Sequence, residues 1–274
     1  MTHLDRAYNP PIMGEEKKKW RTAISFHKGH EAYIRGYKLE DLVGNLTFTE
    51  AIYLVLKGEL PTEREAKMLD AIFVSVVEHS IAPPSVIAAR AVVSGGNGLN
   101  VGVGAGILAF GEAHGGALEG AMKFLQENLR KNPEEVVKEY LSQGRRIPGY
   151  GHRYYKEYDP RTKKLFEIAK ELNFFGDYCQ FALAAEKAIA HIKGKKLVLN
   201  VDGAIAAIVS QMGFDWRLGK GFFIIGRIPG LVAHVYEELV REKPFSKRLD
   251  EEKEVEYLGV PPRELPEEFK RDRR

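Results

Sequence analysis

Asn100-Val-Gly-Val-Gly-Ala-Gly106 decides the fold class. Glycines at 102, 104 and 106 invite reading as the phosphate loop of a dinucleotide-binding α/β unit. Such a loop follows a strand and keeps a set spacing, because one glycine turns the chain and the next admits the pyrophosphate. Neither condition holds, since no convincing strand precedes Asn100 and the full spacing is missing. The segment from Val101 to Phe110 therefore reads as a helix thinned by glycine so that another backbone, in this chain or a partner subunit, can approach closely.

Helical signals continue on both sides of it. Thr47-Phe-Thr-Glu50 and Thr62-Glu-Arg-Glu65 each match a capping box, Pro61 separates the helices they start, and Asn132-Pro133 is an N-cap followed by a first helical residue. Leu165, Ile168, Ala169 and Leu172 recur at helical spacing, as do Tyr178, Ala182, Ala185 and Ile189. Only Ile24 to Tyr37 alternates, which predicts a small hairpin around Lys28-Gly29. With no strand-helix-strand pattern and no repeat, the fold class is all-α with a small N-terminal hairpin. The proline-rich tail from Val260 to Pro266 is expected to wrap the surface.

The 274 residues are 44% hydrophobic, enough to bury a substantial core as one large domain or two small ones. There is no apolar run of about eighteen residues, and Met1 to Lys19 carries charges and prolines where a signal peptide needs an apolar centre. These features predict a cytoplasmic protein with no membrane role. The single cysteine, Cys179, excludes an intramolecular disulfide and a multi-cysteine zinc site, and is expected in the core. A net charge of +3 is too mild to demand nucleic acid, whereas small anionic substrates fit it. The runs Lys17 to Lys19 and Lys270 to Arg274 read as solvated ends, and His3 and His191 as surface residues.

Chemistry concentrates in Pro148-Gly-Tyr-Gly-His-Arg-Tyr-Tyr-Lys-Glu-Tyr-Asp-Pro-Arg161. Gly149 and Gly151 allow a tight turn that offers backbone N–H groups, His152 titrates near neutrality, and Arg161 can grip a carboxylate with two parallel donors. Asp159 and Pro160 read as the N-cap and first residue of a helix, placing Arg161 in its first turn. Two further segments put a charge in an apolar run: Leu199-Asn-Val-Asp-Gly203, and Gly226-Arg-Ile-Pro-Gly-Leu-Val-Ala-His234. A charge so placed is costly unless it is paired or does chemistry.

Together with Arg35-Gly-Tyr-Lys-Leu-Glu-Asp-Leu42, Gly58-Glu-Leu-Pro-Thr62 and Ala113-His-Gly-Gly-Ala117, these segments resemble the citrate synthase superfamily in order, over about Ile34 to Pro244. The resemblance implies a helical fold with a large part (about 20–145 and 225–274) and a small part (about 146–224) carrying His152 and Asp202. It implies that His114 holds the enol oxygen of acetyl-CoA, that Asp202 is the acid/base at its methyl carbon, and that His152 meets the hydroxyl or keto oxygen of the four-carbon half. His79, Arg161 and Arg227 would bind oxaloacetate. Gly149, Tyr150, Gly151 and Lys156 would contact coenzyme A, which enters as part of the substrate, with no metal and no tightly bound cofactor. Where the family has a cross-subunit arginine before a proline, this chain has Lys243, so Lys243 is a candidate ligand with Lys247 and Arg248 as alternatives.

Pro61 and His79 are separated by one helix, where citrate synthases insert many more residues. Asn200-Val-Asp-Gly203 and Gly115-Gly-Ala-Leu118 resemble the citryl-CoA lyase module of ATP-citrate lyases. The resemblance therefore implies cleavage of citryl-CoA to acetyl-CoA and oxaloacetate, in at least a homodimer, with a citryl-CoA synthetase as the functional link. A compact citrate or 2-methylcitrate synthase is the alternative. A non-catalytic regulatory subunit binding CoA or citrate is a third reading, against which the pairing of His114 with Asp202 argues.

Overall fold

A computed structural model describes residues 20–270; the terminal runs, His3 and the N-terminal segment read above lie outside the described residues, apart from Lys270. Three short strands come first, β1 (Ser25–Lys28), β2 (Glu31–Ile34) and β3 (Tyr37–Lys38), antiparallel in that order. The turn from β1 to β2 needs a left-handed residue, and Gly29 supplies it at φ +62°. Phe26 pairs with Tyr33 across the ladder, and their rings stack at 4.8 Å. The expected hairpin thus gains a third strand, too short to leave a periodic signal.

The helices are α1 (Leu39–Leu42), α2 (Phe48–Lys57), α3 (Glu63–Val76), α4 (Pro84–Ser94), α5 (Leu99–Leu108) and α6 (Ala117–Asn128). They continue with α7 (Pro133–Ser142), α8 (Pro160–Glu171), α9 (Asp177–Lys193), α10 (Val201–Gln211), α11 (Gly219–Arg241) and α12 (Glu251–Glu254). Their starts follow the sequence signals. Thr47 and Thr62 each accept from the backbone N–H three residues on, while Glu50 and Glu65 reach back to the caps. Asn132 caps α7 and Asp159 caps α8, each followed by proline.

The core has a centre and a strut. In α10 the run Ala204 to Val209 is fully buried, and the helix packs on α6, α8 and α9. The strut is α11, about 35 Å long at 1.5 Å per residue, which packs on α3, α4, α5 and α6. Helix α6 touches both. By length and composition the stretch 216–241 could cross a membrane, although only 44% of its most apolar window is buried. Arg227 interrupts the apolar character of this stretch, and its packing on four other helices is what a core helix shows.

Helix α5 replaces the excluded phosphate loop, and its glycines serve close packing within the chain. A Cβ on Gly102 would lie against Val93 and 3.0 Å from Val235, and one on Gly106 would lie 3.0 Å from Leu231 and 3.1 Å from the Ser85 carbonyl. Gly104 faces open space. Cys179 is buried as expected.

After α11 the chain is pinned where Phe245 N–H donates to Ser94 O (2.6 Å) and Lys247 N–H to Ser94 Oγ (3.0 Å). Beneath that anchor, buried Arg90 bonds buried Glu238 at 2.7 Å and Glu237 at 3.0 Å. From Arg248 to Lys270 every residue is exposed. The tail expected to wrap the surface buries none of its side chains against this chain.

Candidate active site

Four backbone segments converge. The first follows α3, where Val77 to Pro83 has no regular structure and carries half-buried His79, with Ser80 held at φ +75°. The second is the turn between α5 and α6. There Gly111 and His114 exchange backbone hydrogen bonds of 2.8 and 3.0 Å, and Gly115 takes φ +75°. A Cβ on Gly116 would lie 2.6 Å from the Gly111 carbonyl, so the tight turn presenting His114 requires glycine there.

The third and fourth segments are bound to each other. Gly149 and Gly151 both have positive φ, Gly151 N–H donates to Val198 O at 2.7 Å, and Asn200 N–H donates to Gly149 O at 3.0 Å. A Cβ on Gly149 would lie 2.8 Å from the Gly203 Cα. Side chains reinforce the bond, since Asn200 Nδ2 donates to Gly151 O at 2.9 Å and Thr162 Oγ1 to Leu199 O at 3.1 Å. The loop bearing His152 and the helix start bearing Asp202 therefore behave as one piece.

His114 Nε2 lies 2.8 Å from the buried Ser85 Oγ, between the rings of Phe110 and Phe223. If the serine hydroxyl donates to Nε2, the neutral ring carries its proton on Nδ1 and can donate it to a substrate oxygen. Burial, then the Arg227 charge, lowers the His114 pKa, which favours that neutral form. His152 Nδ1 accepts from the backbone N–H groups of Tyr154 and Tyr155, both at 3.1 Å, so its neutral form is protonated on Nε2. Its ring lies 6.4 Å from that of His79, and burial lowers the pKa of both.

Asp202 stands in the first turn of α10, with Asn200 as its N-cap. Its Oδ1 is buried without a hydrogen-bond partner among the described residues. Burial drives its pKa up to about 6, against the opposing pull of Arg161 and Arg227. Arg227 is itself buried in α11, donates from Nε to Val76 O at 2.7 Å, and lies over the Phe223 ring at 4.8 Å. No salt bridge within the chain consumes its charge among the described residues. Arg161 is partly engaged, giving Nε (3.0 Å) and Nη2 (2.8 Å) to Asp159, with Nη2 also 3.4 Å from His152 Nε2.

A cleft of about 1100 Å³ opens beside this centre, lined by Ala113, Gly116, Gly149, Tyr150, Gly151 and Asn200. It also gathers Arg145, Arg146, Lys193 and Lys220, four cations from three parts of the chain. Sequence reading missed these four, and it missed Ser85; none stands in a motif that marks its role.

Of the predicted site residues, His79, His114, His152, Arg161, Asp202 and Arg227 come together, and Gly149, Tyr150 and Gly151 line the cleft. The Tyr150 hydroxyl is turned inward, donating to Ala182 O at 2.9 Å. Lys156 does not line the cleft; it donates to His152 O at 3.0 Å. Lys243 is exposed just past α11, near the anchor at the far end of α4 from Ser85. Lys247 is committed to Glu238 and Glu242 at 3.4 and 3.5 Å. His191 is exposed, as expected.

The family model described as citrate synthase, C-terminal domain, matches residues 16–69 and 61–248. The chain is 68% identical to the citryl-CoA lyase from Hydrogenobacter thermophilus, with a TM-score of 0.90 over 93% of this chain and 100% of that one. Citrate synthase 2 of Bacillus subtilis is 31% identical over 204 residues, 73% of this chain and 55% of that protein. This chain spans about half the length of the curated relatives it matches. ATP citrate lyase from Methanosaeta concilii, in complex with (3S)-citryl-CoA, shares the fold, at 24% identity and a TM-score of 0.76 over 90% of this chain and 43% of that one. Matched along most of its length and carrying the expected residues around one centre, the chain belongs to the citrate synthase family.

Proposed function

We propose that this protein is a citryl-CoA lyase, cleaving citryl-CoA to acetyl-CoA and oxaloacetate. The observation that carries the reading is its 68% identity to the Hydrogenobacter thermophilus citryl-CoA lyase across all of that chain. The unpartnered, partly protonated Asp202 supports a carbon acid/base over a binding-only role.

In this reading the tertiary hydroxyl of the citryl group loses its proton to a base near His152, whose Nε2–H and the neighbouring Arg161 hold the developing negative oxygen. The C–C bond breaks, the oxygen becomes the keto group of oxaloacetate, and the electron pair passes to the acetyl-CoA enolate. His114 donates to the enolate oxygen, and Asp202 delivers a proton to the carbon. Arg227 and His79 hold the carboxylates of the four-carbon half. The CoA moiety occupies the cleft, where Arg145, Arg146, Lys193 and Lys220 suit its phosphates. Helix α5 exposes Val101 and Leu108 two turns apart on one face, and this apolar patch is the surface through which we propose a homodimer.

Incubation of purified protein with citryl-CoA, followed by separation of the products, tests the reading. Acetyl-CoA with oxaloacetate is expected. Free CoA with citrate would show the thioester hydrolysis of a citrate synthase, and unchanged citryl-CoA would overturn the assignment.

A further inference from the structure

The segment that carries His79 is poorly secured by its own backbone. Among the described residues, no backbone–backbone hydrogen bond involves Glu78 to Ala82, and Ser80 sits in the left-handed region at φ +75°. The local support is a long contact of 3.4 Å from Ala82 N–H to Ser80 Oγ. Among the described residues the His79 ring makes no hydrogen bond. Something else must set where that ring points: the His152 ring lies edge-on to it at 6.4 Å, and the side chains that hold its backbone segment lie on α11.

Three positions one helical turn apart on α11 meet the segment in succession. Arg227 donates to Val76 O at 2.7 Å. Gly230 follows, where a Cβ would collide with Val77 O and lie 2.6 Å from Glu78 Oε2, so only glycine lets the strand of chain lie this close. Then His234 Nε2 meets Glu78 Oε1 at 3.0 Å. The spacing 227, 230, 234 traces one face of a helix. The first two contacts fix the chain before Glu78. The third is the last side-chain hydrogen bond to α11 before His79.

We infer that Glu78 and His234 are a positioning pair for His79, setting the binding of the four-carbon acid without touching it. This rests on the proposed role of His79 as an oxaloacetate ligand. Glu78 precedes His79 in the chain and is held by His234, so the influence of the pair passes through the backbone of residues 78–79. It acts equally on ground state and transition state, and removing it raises KM while leaving kcat nearly unchanged.

The test measures kcat and KM for citryl-CoA, calorimetric binding of oxaloacetate, and Tm, in His234→Ala, His234→Gln, Glu78→Ala and the double Ala variant. His234→Ala is the cleaner single change, since Glu78 also lends negative charge to Arg227. We expect KM and the oxaloacetate Kd to rise about tenfold in each Ala variant, kcat to stay within about twofold, and the double variant to be no worse than either single one. His234→Gln keeps a side-chain donor for Glu78 and should restore most of the loss. A lowered Tm with KM and oxaloacetate Kd unchanged would make the pair a structural tie only, and additive single effects would also overturn the inference. A wild-type protein that leaves citryl-CoA intact but binds oxaloacetate in a His234-dependent way would sink the lyase reading and keep the pair. Wild-type protein that does neither would sink both.

Discussion

Two aspartates open neighbouring helices, and the protein treats them in opposite ways. Asp159 caps α8, is fully buried, and accepts four hydrogen bonds: two from Arg161 Nε and Nη2, and two from the N–H groups of Arg161 and Val201. Burial alone would raise its pKa, yet Arg161 and the backbone donors outweigh it and hold the carboxyl below its ordinary value. Asp202, two residues into the motif that starts α10, keeps one buried oxygen with no partner among the described residues, and burial lifts its pKa to about 6. One acid is satisfied and inert; the other is left able to exchange a proton near neutral pH. Burial does not by itself decide function: the number of donors aimed at each carboxylate separates a strut from a reagent.

The contrast is broken most sharply by Asp202→Asn. Turnover of citryl-CoA should fall by about 10²–10⁴, the range general acid/base groups supply, with citryl-CoA affinity retained. Near wild-type turnover would remove Asp202 from the chemistry. Asp159→Asn should instead act on the scaffold, costing about 3–5 kcal/mol because it unpairs Arg161 in a mostly buried setting. Denaturant unfolding at pH 7.5 reads that loss.

The same two variants should differ in sign. A folded-state pKa raised from 3.8 to about 6 means the native protein holds the Asp202 proton more tightly than the unfolded chain does. That contribution is full below pH 3.8 and is lost as pH rises through about 6. Asp202→Asn should therefore stabilise the protein by up to about 3 kcal/mol above pH 6 and not at all near pH 4. Asp159, held low, contributes stability above its unfolded pKa that is lost as pH falls through its folded value. If both Asn variants destabilise equally at pH 7.5, the distinction between strut and reagent fails.

Smaller effects test the periphery. Lys220→Ala should weaken CoA binding about tenfold, with a reduced dependence on ionic strength, because one charge-assisted contact is lost. Equal affinity would move the phosphates elsewhere in the cleft. Gly104→Leu meets open space within this chain and replaces a poor helix former, so a monomer should gain up to about 1 kcal/mol. A drop in mass by light scattering would place a second copy against α5, and an unchanged mass would take the interface off that helix.

What the sequence disclosed was largely local. The caps at Thr47, Thr62, Asn132 and Asp159 were legible because cap and first turn are adjacent in the chain, and the glycines of α5 because a phosphate loop needs a strand before it. His152 and Arg161 stood out in a glycine-rich cationic segment and Asp202 and Arg227 as charges in apolar runs, whereas His114 was marked only by the resemblance to the family. Ser85 did not, since a serine behind two prolines carries no signal until His114 is seen 2.8 Å away. Nor did Lys193 and Lys220, ordinary cations that face one cleft only through the packing of distant helices. The partners of Gly102 and Gly106 were equally hidden, because Val93, Val235 and Leu231 are brought to them by tertiary structure.

Helix α11 also sets the order in which the molecule can become itself. Its contacts close three long loops, Arg90 to Glu238 over 148 residues, Val76 to Arg227 over 151, and Glu78 to His234 over 156. Contacts so distant form only after the intervening chain has paid its loss of freedom. On a ribosome, the pocket around His79 has no far wall until α11 has emerged. By then α6 and α10 already have each other to pack against, and substrate recognition is the last property the growing chain acquires.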